Sequence, residues 1–400
     1  MNEMKADVKG LRILFVHSGS DLYGASRSVL RLSSRLVRDG AIVKAVLPHH
    51  GPLSDTLQAH GVDVVIQTDL PVIERDQVKH IPGLMKLAIN IISSTVSLLA
   101  LIRMFQPHLV HTITAVILSP GLAAKLRGVP HVWHIRESFG EFGSWWKYYQ
   151  SYISWLSSAI VCVSMPVAEQ FRSSVGAKKI KVIHNGFPSA EFEPVGSERI
   201  KAFKSRFAVD KAEALVGVVG RIKLLRKGQE VFVEAASLLQ DRFPAVRFLC
   251  IGSPFPGNES HLENLKKLIR ERGLCDYVFC TGDVEDIKAA ISALDILVLS
   301  SVQPEPFGGT VIEAMALSRP VVATSTGGSI EQVVDGVTGL LVEPGDSKSM
   351  AAGIEKLLES PDLRRIFGEN GRARFLEKFE FQQFYQRILE LYGQVIADGA

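Results

Sequence analysis

Short apolar runs alternate with amphipathic segments along the whole chain. Residues 11–17 (LRILFVH) have the length of a buried strand, and residues 25–40 have the apolar spacing of a helix that ends at Gly40. The alternation continues through five further apolar runs: AIVKAVLP, VDVVIQT, HLVHTI, PHVWHI and AIVCVS. Strands that alternate with helices form parallel sheets with helices on both faces. The pattern therefore predicts a doubly wound α/β domain.

The same pattern restarts after a turn-rich stretch at 184–194, HNGFPSAEFEP. Six more strands are predicted there: ALVGVVG, VRFLCIG, DYVFCTG, DILVLSS, PVVATST and GLLVEP. A chain of 400 residues also exceeds what one hydrophobic core usually supports. We therefore predict two doubly wound domains, residues 1–190 and 191–380, that face each other across a cleft.

Composition and charge narrow the class of partner. The net charge is +3, which is too small to indicate nucleic acid, and no basic stripe is interleaved with aromatic residues. We interpret the four cysteines as reduced core thiols, which favours a reducing compartment: Cys162, Cys250, Cys275 and Cys280. The opening MNEMKADVKG is polar and does not resemble a leader, so we expect a cytoplasmic protein.

Residues 84–105 (LMKLAINIISSTVSLLALIRMF) form the most apolar stretch of the chain. The stretch is almost long enough to span a bilayer, but Lys86 and several polar residues interrupt it. We favour a buried helix, and the alternatives are a helix on the membrane surface and a membrane span.

A cluster of cations lies between a predicted strand and a predicted helix. In residues 220–228 (GRIKLLRKG), Arg221, Lys223, Arg226 and Lys227 follow the strand ALVGVVG. Cations at the carboxyl end of a parallel strand, next to a helix start, suit a phosphate group. A solvated basic loop is the alternative.

The stretch PEPFGGTVIEAMA places two acids around a glycine pair. Gly308 and Gly309 stand at a predicted helix start, where backbone N–H groups and the helix dipole favour an anion. Glu305 precedes this turn and Glu313 lies inside the helix. Because carboxylates repel an anion, we interpret both as ligands for the hydroxyl groups of a ribose or hexose. An acid–base pair of an inverting glycoside hydrolase is the alternative.

The N-terminal half offers two further candidates. Tyr23 and Gly24 lie at the start of the first predicted helix, a turn that also suits an anion. His134 lies near the carboxyl end of its predicted strand, and the alternative is a core histidine. His131 points to the opposite face of that strand, so the two histidines are not a metal pair. The chain has no Asp-x-Asp, G-x-G-x-x-G or P-loop motif, and we expect neither a metal nor a cofactor.

Taken together, these stretches resemble the retaining GT-B glycosyltransferases of the large family four, also called group 1, which use nucleotide sugars. The resemblance rests on Glu305 and Glu313 in EPFGGTVIEAMA, supported in order by YGASRS, VIHNGF, GRIKLLRKG and the glycine-rich run at 327–346. It covers nearly the whole chain. It implies the GT-B fold of two Rossmann-like domains, with the helix at 381–400 packed back on the first domain.

The resemblance also implies roles for single residues. Arg221 and Lys227 would hold the donor pyrophosphate, Glu313 the ribose, and Glu305 the transferred sugar. The implied donor-binding set is Arg221, Lys227, Phe307, Gly308, Gly309, Thr310 and Glu313. In the first domain, His134 would lie beside the reacting sugar as a catalytic residue with Glu305, and Tyr23 and Gly24 would face the donor phosphate and the acceptor.

Two departures from the family pattern affect the acceptor side. The family often has Asp directly after its histidine, whereas Ile135, Arg136 and Glu137 follow His134 here, and its first loop is often Gly-Gly. The acceptor therefore cannot be assigned by analogy.

The expected activity is retaining, metal-independent transfer of a sugar from a nucleotide-diphosphate sugar to a glycan or lipid-linked acceptor, in cell-surface polysaccharide or glycolipid synthesis. The alternatives are a nucleotide-sugar epimerase of the same architecture and a non-catalytic nucleotide-sugar-binding protein. Residues 84–105 would allow a peripheral position on the inner face of the membrane.

Overall fold

The structure is a computed structural model that describes residues 8–73, 80–139, 145–171 and 179–399. The chain divides into two compact units. The first domain comprises Met1–Gly186 together with Gln382–Ala400, and the second comprises Phe187–Phe381. The division thus falls after Gly186, a few residues before the predicted position.

The first domain is built on a parallel sheet of seven strands in the order β3-β2-β1-β4-β5-β6-β7. Its strands are β1 (Arg12–Val16), β2 (Ile42–Leu47), β3 (Asp63–Ile66), β4 (Leu109–Thr112), β5 (His131–Ile135), β6 (Ala159–Cys162) and β7 (Ile180–Val182). Its helices before the linker are α1 (Gly24–Arg38), α2 (Pro52–Ala59), α3 (Ile81–Phe105), α4 (Ser119–Leu126), α5 (Trp145–Leu156) and α6 (Met165–Glu169).

The second domain has a six-stranded parallel sheet in the order β10-β9-β8-β11-β12-β13. Its strands are β8 (Leu215–Val219), β9 (Arg247–Ile251), β10 (Val278–Gly282), β11 (Ile296–Leu299), β12 (Val321–Thr324) and β13 (Gly339–Val342). Its helices are α7 (Ser197–Arg206), α8 (Gln229–Leu239), α9 (Ser260–Glu271), α10 (Ile287–Ala293), α11 (Gly309–Ala316), α12 (Ser329–Gln332), α13 (Ser347–Leu358) and α14 (Pro361–Arg374).

The central strands explain why both sheets are covered on two faces. Every residue of β4, β5, β6, β11 and β12 is buried. Such strands read as continuous apolar runs, and they need helices on both sides. The predicted α/β class with two doubly wound sheets is confirmed. The strand β7, whose three residues lie just before the turn-rich stretch, was not predicted.

The strand orders place one switch point in each domain. The chain builds outward from β1 and then returns to β4, and it builds outward from β8 and then returns to β11. Loops at the carboxyl ends of two such strands diverge and leave a crevice, which is where open α/β sheets bind ligands. The loops after β1, β4, β8 and β11 are therefore where the functional residues should lie.

The last helix, α15 (Phe381–Gly399), contributes most of its length to the first domain. The buried Tyr392 hydroxyl and His111 Nδ1 lie 2.6 Å apart. The Tyr385 hydroxyl donates a hydrogen bond to the carboxylate of Asp39 at the end of α1, over 2.7 Å. This helix covers the first sheet on the α1 face.

The long apolar helix α3 is buried on one face and exposed on the other. Within the described part of the chain, Pro82–Phe105 is the single helix long and apolar enough to cross a membrane. One side of α3 packs into the core through Leu87, Leu98 and Ile102. Only a third of its most apolar window is buried, so the predicted buried helix describes one face of α3 and not the other.

All four cysteines are free thiols. Cys162 and Cys250 are buried, and Cys280 is partly buried. The interpretation of all four as core thiols is wrong for Cys275, which is exposed because it lies in the turn before β10 and not in the strand.

Candidate active site

The two loops at the second switch point are fastened to each other. The N–H of Val302 donates a hydrogen bond to the carbonyl of Arg226 over 2.9 Å, and the Ser300 hydroxyl donates to the carbonyl of Lys227 over 2.7 Å. Gly228 has a φ of 66°, and a Cβ there would lie 1.9 Å from the Ser300 carbonyl oxygen. Only glycine tolerates this approach, so the basic loop lies directly against the loop that carries Glu305.

A charged pair stands where these loops meet. Lys227 Nζ lies 2.5 and 2.6 Å from the two carboxylate oxygens of Glu305, and the Ser301 hydroxyl donates to the same carboxylate over 2.9 Å. The side chains are mostly buried, with 30% and 18% of their surfaces exposed. Burial alone would raise the pKa of Glu305, but the charge and hydrogen bond of Lys227 and the Ser301 hydroxyl together lower it. Glu305 is therefore ionised and accepts hydrogen bonds.

The glycine-rich run at 327–346 fixes the backbone of Glu305. The Gly328 N–H donates to the Glu305 carbonyl over 2.7 Å. Gly327 has a φ of 62°, and a Cβ there would lie 2.2 Å from the same carbonyl oxygen. The two glycines thus allow the loop after β12 to touch the loop after β11 and to hold Glu305 in place.

A pocket of about 250 Å³ opens beside this pair. Arg221 lines it and stacks on the ring of Phe255, with the guanidinium carbon 3.7 Å from the ring centre. The remaining lining comes from the basic loop, the loop after β9, the start of α9 and the loop after β11: Ile222, Lys223, Arg226, Lys227, Asn258, His261, Ser301, Gln303, Pro304, Glu305 and Pro306. The sequence-based prediction missed Phe255, although an apolar ring in a loop that follows a strand is a recognisable signal.

The predicted anion site lies at the start of α11. Gly308 is its N-cap, no side chain caps the helix, and the first turn has no acid. The Gln332 side chain donates to the Gly308 carbonyl over 3.2 Å, which fixes the turn. Phe307 packs against Phe379, while Gly309, Thr310 and Glu313 are partly buried. The predicted donor-binding residues therefore all lie on the two loops and the helix at this switch point.

The structure buries His134 completely. Its ring has no exposed surface, stacks on His111 with 5.5 Å between ring centres, and lies 6.5 Å from Phe384 of α15. Neither ring nitrogen has a hydrogen-bond partner among the described residues. Burial and the nearby Arg136 and His111 hold its pKa well below the ordinary value. This position is that of a neutral core ring and argues against the predicted contact of His134 with a substrate.

Arg136, two residues later, lies at the carboxyl edge instead. It follows β5, is partly exposed, and donates a hydrogen bond from Nη2 to the Ser28 hydroxyl of α1 over 2.7 Å. Its Nε has no partner among the described residues. Burial lowers the pKa of Arg136 to about 10, so the side chain remains a cation at neutral pH.

The carboxylate of Glu137 is occupied by hydrogen bonds within the protein. Its carboxylate accepts hydrogen bonds from the Thr114 hydroxyl, the Ala115 N–H and the Arg136 N–H. Burial raises the pKa of Glu137, although these hydrogen bonds lower it in part. The carboxylate joins the ends of β4 and β5.

A second polar chain lies in the loop after β1. His17 Nε2 lies 3.1 Å from the Ser26 hydroxyl, which donates to Asp21 over 3.0 Å. Burial lowers the pKa of His17 to about 4, so this imidazole is neutral. The sequence-based prediction missed these residues because they are dispersed singly among polar loop residues.

The turn at Tyr23 and Gly24 carries a carboxylate of its own. The Tyr23 N–H at the start of α1 donates to Asp21 over 2.9 Å, whereas Tyr23 itself is half exposed and the space beside Gly24 is open. A negative carboxylate at this helix start opposes a phosphate, so the turn suits a neutral hydroxyl group better.

No group of three His, Cys, Asp or Glu side chains that could hold a metal ion occurs within the ranges that the structure describes. Among the described residues, the charged side chains at the two switch points include those of the basic loop, Glu305, Glu313 and Arg136.

Both domains match families of known proteins. Residues 23–191 match the family described as Glycosyltransferase Family 4, and residues 199–374 match the family described as Glycosyl transferases group 1. The capsular polysaccharide biosynthesis glycosyltransferase CapM of Staphylococcus aureus is 28% identical over 79% of this chain and 85% of its own length.

This chain aligns with different shares of two further similar proteins. The alpha-D-kanosaminyltransferase of Streptomyces kanamyceticus is 31% identical over 52% of this chain and 52% of its own length, so the chain spans about half of that protein. Anabaena HepE, solved in complex with UDP-glucose, is 24% identical with a TM-score of 0.82, over 96% of this chain and 100% of HepE. That likeness establishes the fold. The chain belongs to the group 1 glycosyltransferases and has the GT-B fold.

Proposed function

We propose that this protein transfers a sugar from a nucleotide-diphosphate sugar to a glycan or lipid-linked acceptor, with retention and without a metal ion. The observation that carries the proposal is the contact of Lys227 with the ionised Glu305, beside the pocket that Arg221 lines at the β8–β11 switch point. The complex of HepE with UDP-glucose supports a donor of this class.

The donor diphosphate would lie between the basic loop and the start of α11. Arg221, Lys227 and the N–H groups of Gly309 and Thr310 would stabilise the charge that develops on the departing phosphate. Lys227 has three N–H donors, and its two contacts with Glu305 leave one donor for the phosphate. Glu313, one turn inside α11, would bind the ribose hydroxyls.

Glu305 would orient the transferred sugar and would not attack it. Its carboxylate is anchored by Lys227, Ser301 and its own backbone, and its lowered pKa keeps it an acceptor for sugar hydroxyls. The anomeric C–O bond would break with its electron pair going to the diphosphate oxygen. The acceptor oxygen would bond to the anomeric carbon on the same face, and its proton would pass to the leaving phosphate.

In the first domain, Arg136 would face the substrate in place of the buried His134. Its Nη2 donates a hydrogen bond to Ser28, and its Nε has no partner among the described residues, so a cation lies at the carboxyl edge of β5. The open turn at Gly24, beside the exposed Tyr23, would admit an acceptor hydroxyl. The role of CapM in capsular polysaccharide biosynthesis supports a cell-surface glycan as the product. The transfer would take place on the cytoplasmic side of the membrane.

A nucleotide panel tests the donor assignment. We expect one of UDP, GDP, ADP and TDP to raise the midpoint of unfolding, in the presence of EDTA, and its sugar nucleotide to be hydrolysed slowly without acceptor. An NMR spectrum of the released linkage would show the same anomeric configuration as the donor. If no nucleotide shifted the midpoint, the proposal would fail and the glycoside hydrolase alternative would gain. A changed sugar nucleotide formed without acceptor would instead indicate an epimerase.

A further inference from the structure

An exposed apolar stripe runs along α3. Met85, Ile89, Ile92 and Val96 are each more than 60% exposed, and their spacing of four, three and four residues puts them on one face of the helix. Apolar side chains of this size stand singly on ordinary surfaces, whereas a continuous row marks an interaction site.

The opposite face holds α3 in the domain. Leu98 and Ile102 pack into the core beneath the sheet. The Gln67 side chain donates to the Ser94 carbonyl and hydroxyl, and the Ser94 and Ser119 hydroxyls lie 2.8 Å apart in a buried network. Removing α3 into a bilayer would expose this core and leave these polar groups without partners. The helix can therefore lie on a membrane but not cross it.

The apolar surface continues onto α4, which packs against α3, and onto α5, which packs against α4. The Arg127 side chain at the end of α4 donates to the Leu99 carbonyl of α3, and Leu126 next to it is 63% exposed. Lys125 lies over the ring of Trp155 in α5, which is 58% exposed. Tryptophan with one polar and one apolar side is typical of the boundary between lipid and water.

The charged residues of α3, α4 and α5 are all basic. From His80 to Arg136 the sequence contains no Asp and no Glu, although acids make up 42 of the 400 residues. Lys86, Arg103 and Lys125 in the same stretch are exposed. Asp69, which accepts a hydrogen bond from Ser93 at one side of the stripe, is the acid in contact with α3 that the described residues show. An apolar row flanked by cations complements an anionic lipid surface.

We propose that this face, formed by α3, α4 and the end of α5 and called here the lipid face, docks on an anionic bilayer with α3 lying in the interface. The inference goes beyond the proposed sugar transfer and does not depend on it, because the lipid face shares no residue with the donor site.

Flotation with lipid vesicles tests the proposal without any nucleotide. We expect the full chain to bind vesicles containing about one third phosphatidylglycerol at least tenfold more tightly than pure phosphatidylcholine vesicles, and to lose this preference at high salt. The variant Ile89→Gln/Ile92→Gln/Val96→Gln should bind both at least tenfold less. Lys86→Gln/Arg103→Gln should lose the preference for anionic vesicles.

The matched control is Leu238→Gln/Ile366→Gln, which changes two exposed apolar residues of the second domain. This control should float like the unchanged protein. Every variant should keep the melting midpoint and the nucleotide binding of the unchanged protein. Equal flotation of the triple variant and the unchanged protein would overturn the proposal. Absence of flotation in the unchanged protein would also overturn the proposal. This includes the outcome in which the unchanged protein is a dimer and the triple variant is a monomer, because the apolar stripe would then be a dimer interface.

Discussion

The two switch points are built in different ways. At β8–β11 the candidate residues come from two short stretches, 221–228 and 301–313, and glycines bring their backbones into contact. At β1–β4 they come one or two at a time from the ends of separate elements: His17, Asp21, Ser26, Ser28, Arg136 and Glu137. A diphosphate can be bound by backbone N–H groups and a few cations, and one short sequence motif can supply both. The first domain relies on side chains that only the fold assembles.

The domains also differ in their histidines. Ten of the 11 histidines lie outside the second domain, which contains His261 alone. Four of the ten are buried with lowered pKa values: His17, His111, His131 and His134. The first domain therefore has buried imidazoles that stay neutral while it is folded, and the second has a charged pair at its pocket. Variants at the pocket test the charged pair, and stability measured against pH tests the buried histidines.

The largest effect is expected from Lys227→Ala. The change removes the cation proposed for the diphosphate and leaves Glu305 mostly buried without its partner. We expect kcat/KM for donor turnover to fall about 100- to 1,000-fold, as when one electrostatic contact of a transition state is lost. The unfolding free energy should fall by about 1–2 kcal/mol because Glu305 loses the hydrogen bonds from Lys227 and keeps only that from Ser301.

The control for this variant is Lys356→Ala, an exposed lysine in the last turn of α13. It should change neither turnover nor stability. Turnover within threefold of normal in Lys227→Ala would remove the phosphate role of the basic loop, and the proposed difference between the two switch points would lose its main support.

A smaller loss is expected from Arg136→Ala. If the cation faces the substrate, transfer to acceptor should fall about 10- to 100-fold. Arg136→Lys should recover part of it, since the charge remains but the planar hydrogen-bonding group does not. Slow donor hydrolysis should fall less than transfer, and Arg38→Ala at the exposed end of α1 should be neutral. Equal losses of hydrolysis and transfer would place Arg136 with the donor and not with the acceptor.

The sequence was sufficient for most of the fold, and it identified two second-domain stretches that the structure brings together. Continuous apolar runs such as 295–301 mark buried parallel strands, and Glu305 and Glu313 lie in one contiguous motif. The sequence was insufficient for His134, because position along a strand does not say which face a helix from the far end of the chain will cover. Tyr392 and Phe384 of α15 lie on that face, and their distance in sequence hides the contact.

Acid should destabilise the first domain before the second. The pKa of His17 is lowered to about 4 and that of His131 to about 3, so these imidazoles stay neutral in the folded state. Below about pH 6.5 the unfolded chain binds protons that the folded domain does not, and stability falls by about 1.4 kcal/mol per pH unit for each such proton. The stabilisation from Glu305, whose pKa is also lowered, is lost only below its ordinary value near 4.5.

Calorimetry at pH 7, 6 and 5, with hydrogen exchange to assign each transition, checks this order. The first-domain transition should move to lower temperature over this range, and the second-domain transition should move little. The control variant is His60→Asn, which changes an exposed histidine. Parallel shifts of both transitions would contradict the assignment of the four buried histidines as neutral.

The smallest effect is expected from His134→Phe. Phenylalanine is close in shape, apolar, and can stack on His111 and Phe384 as the imidazole does. It loses no hydrogen bond to a described residue, and it removes a group that cannot be charged while buried. We therefore expect kcat/KM to stay within about threefold and the acid slope of the first-domain transition to become shallower by one proton. A catalytic histidine predicts the reverse, a loss of about 100-fold or more with the slope unchanged, because its role would require the ring to reach solvent and substrate. The activity and the slope of this single variant thus decide whether the polar group of the first domain that meets the sugar is His134 or Arg136.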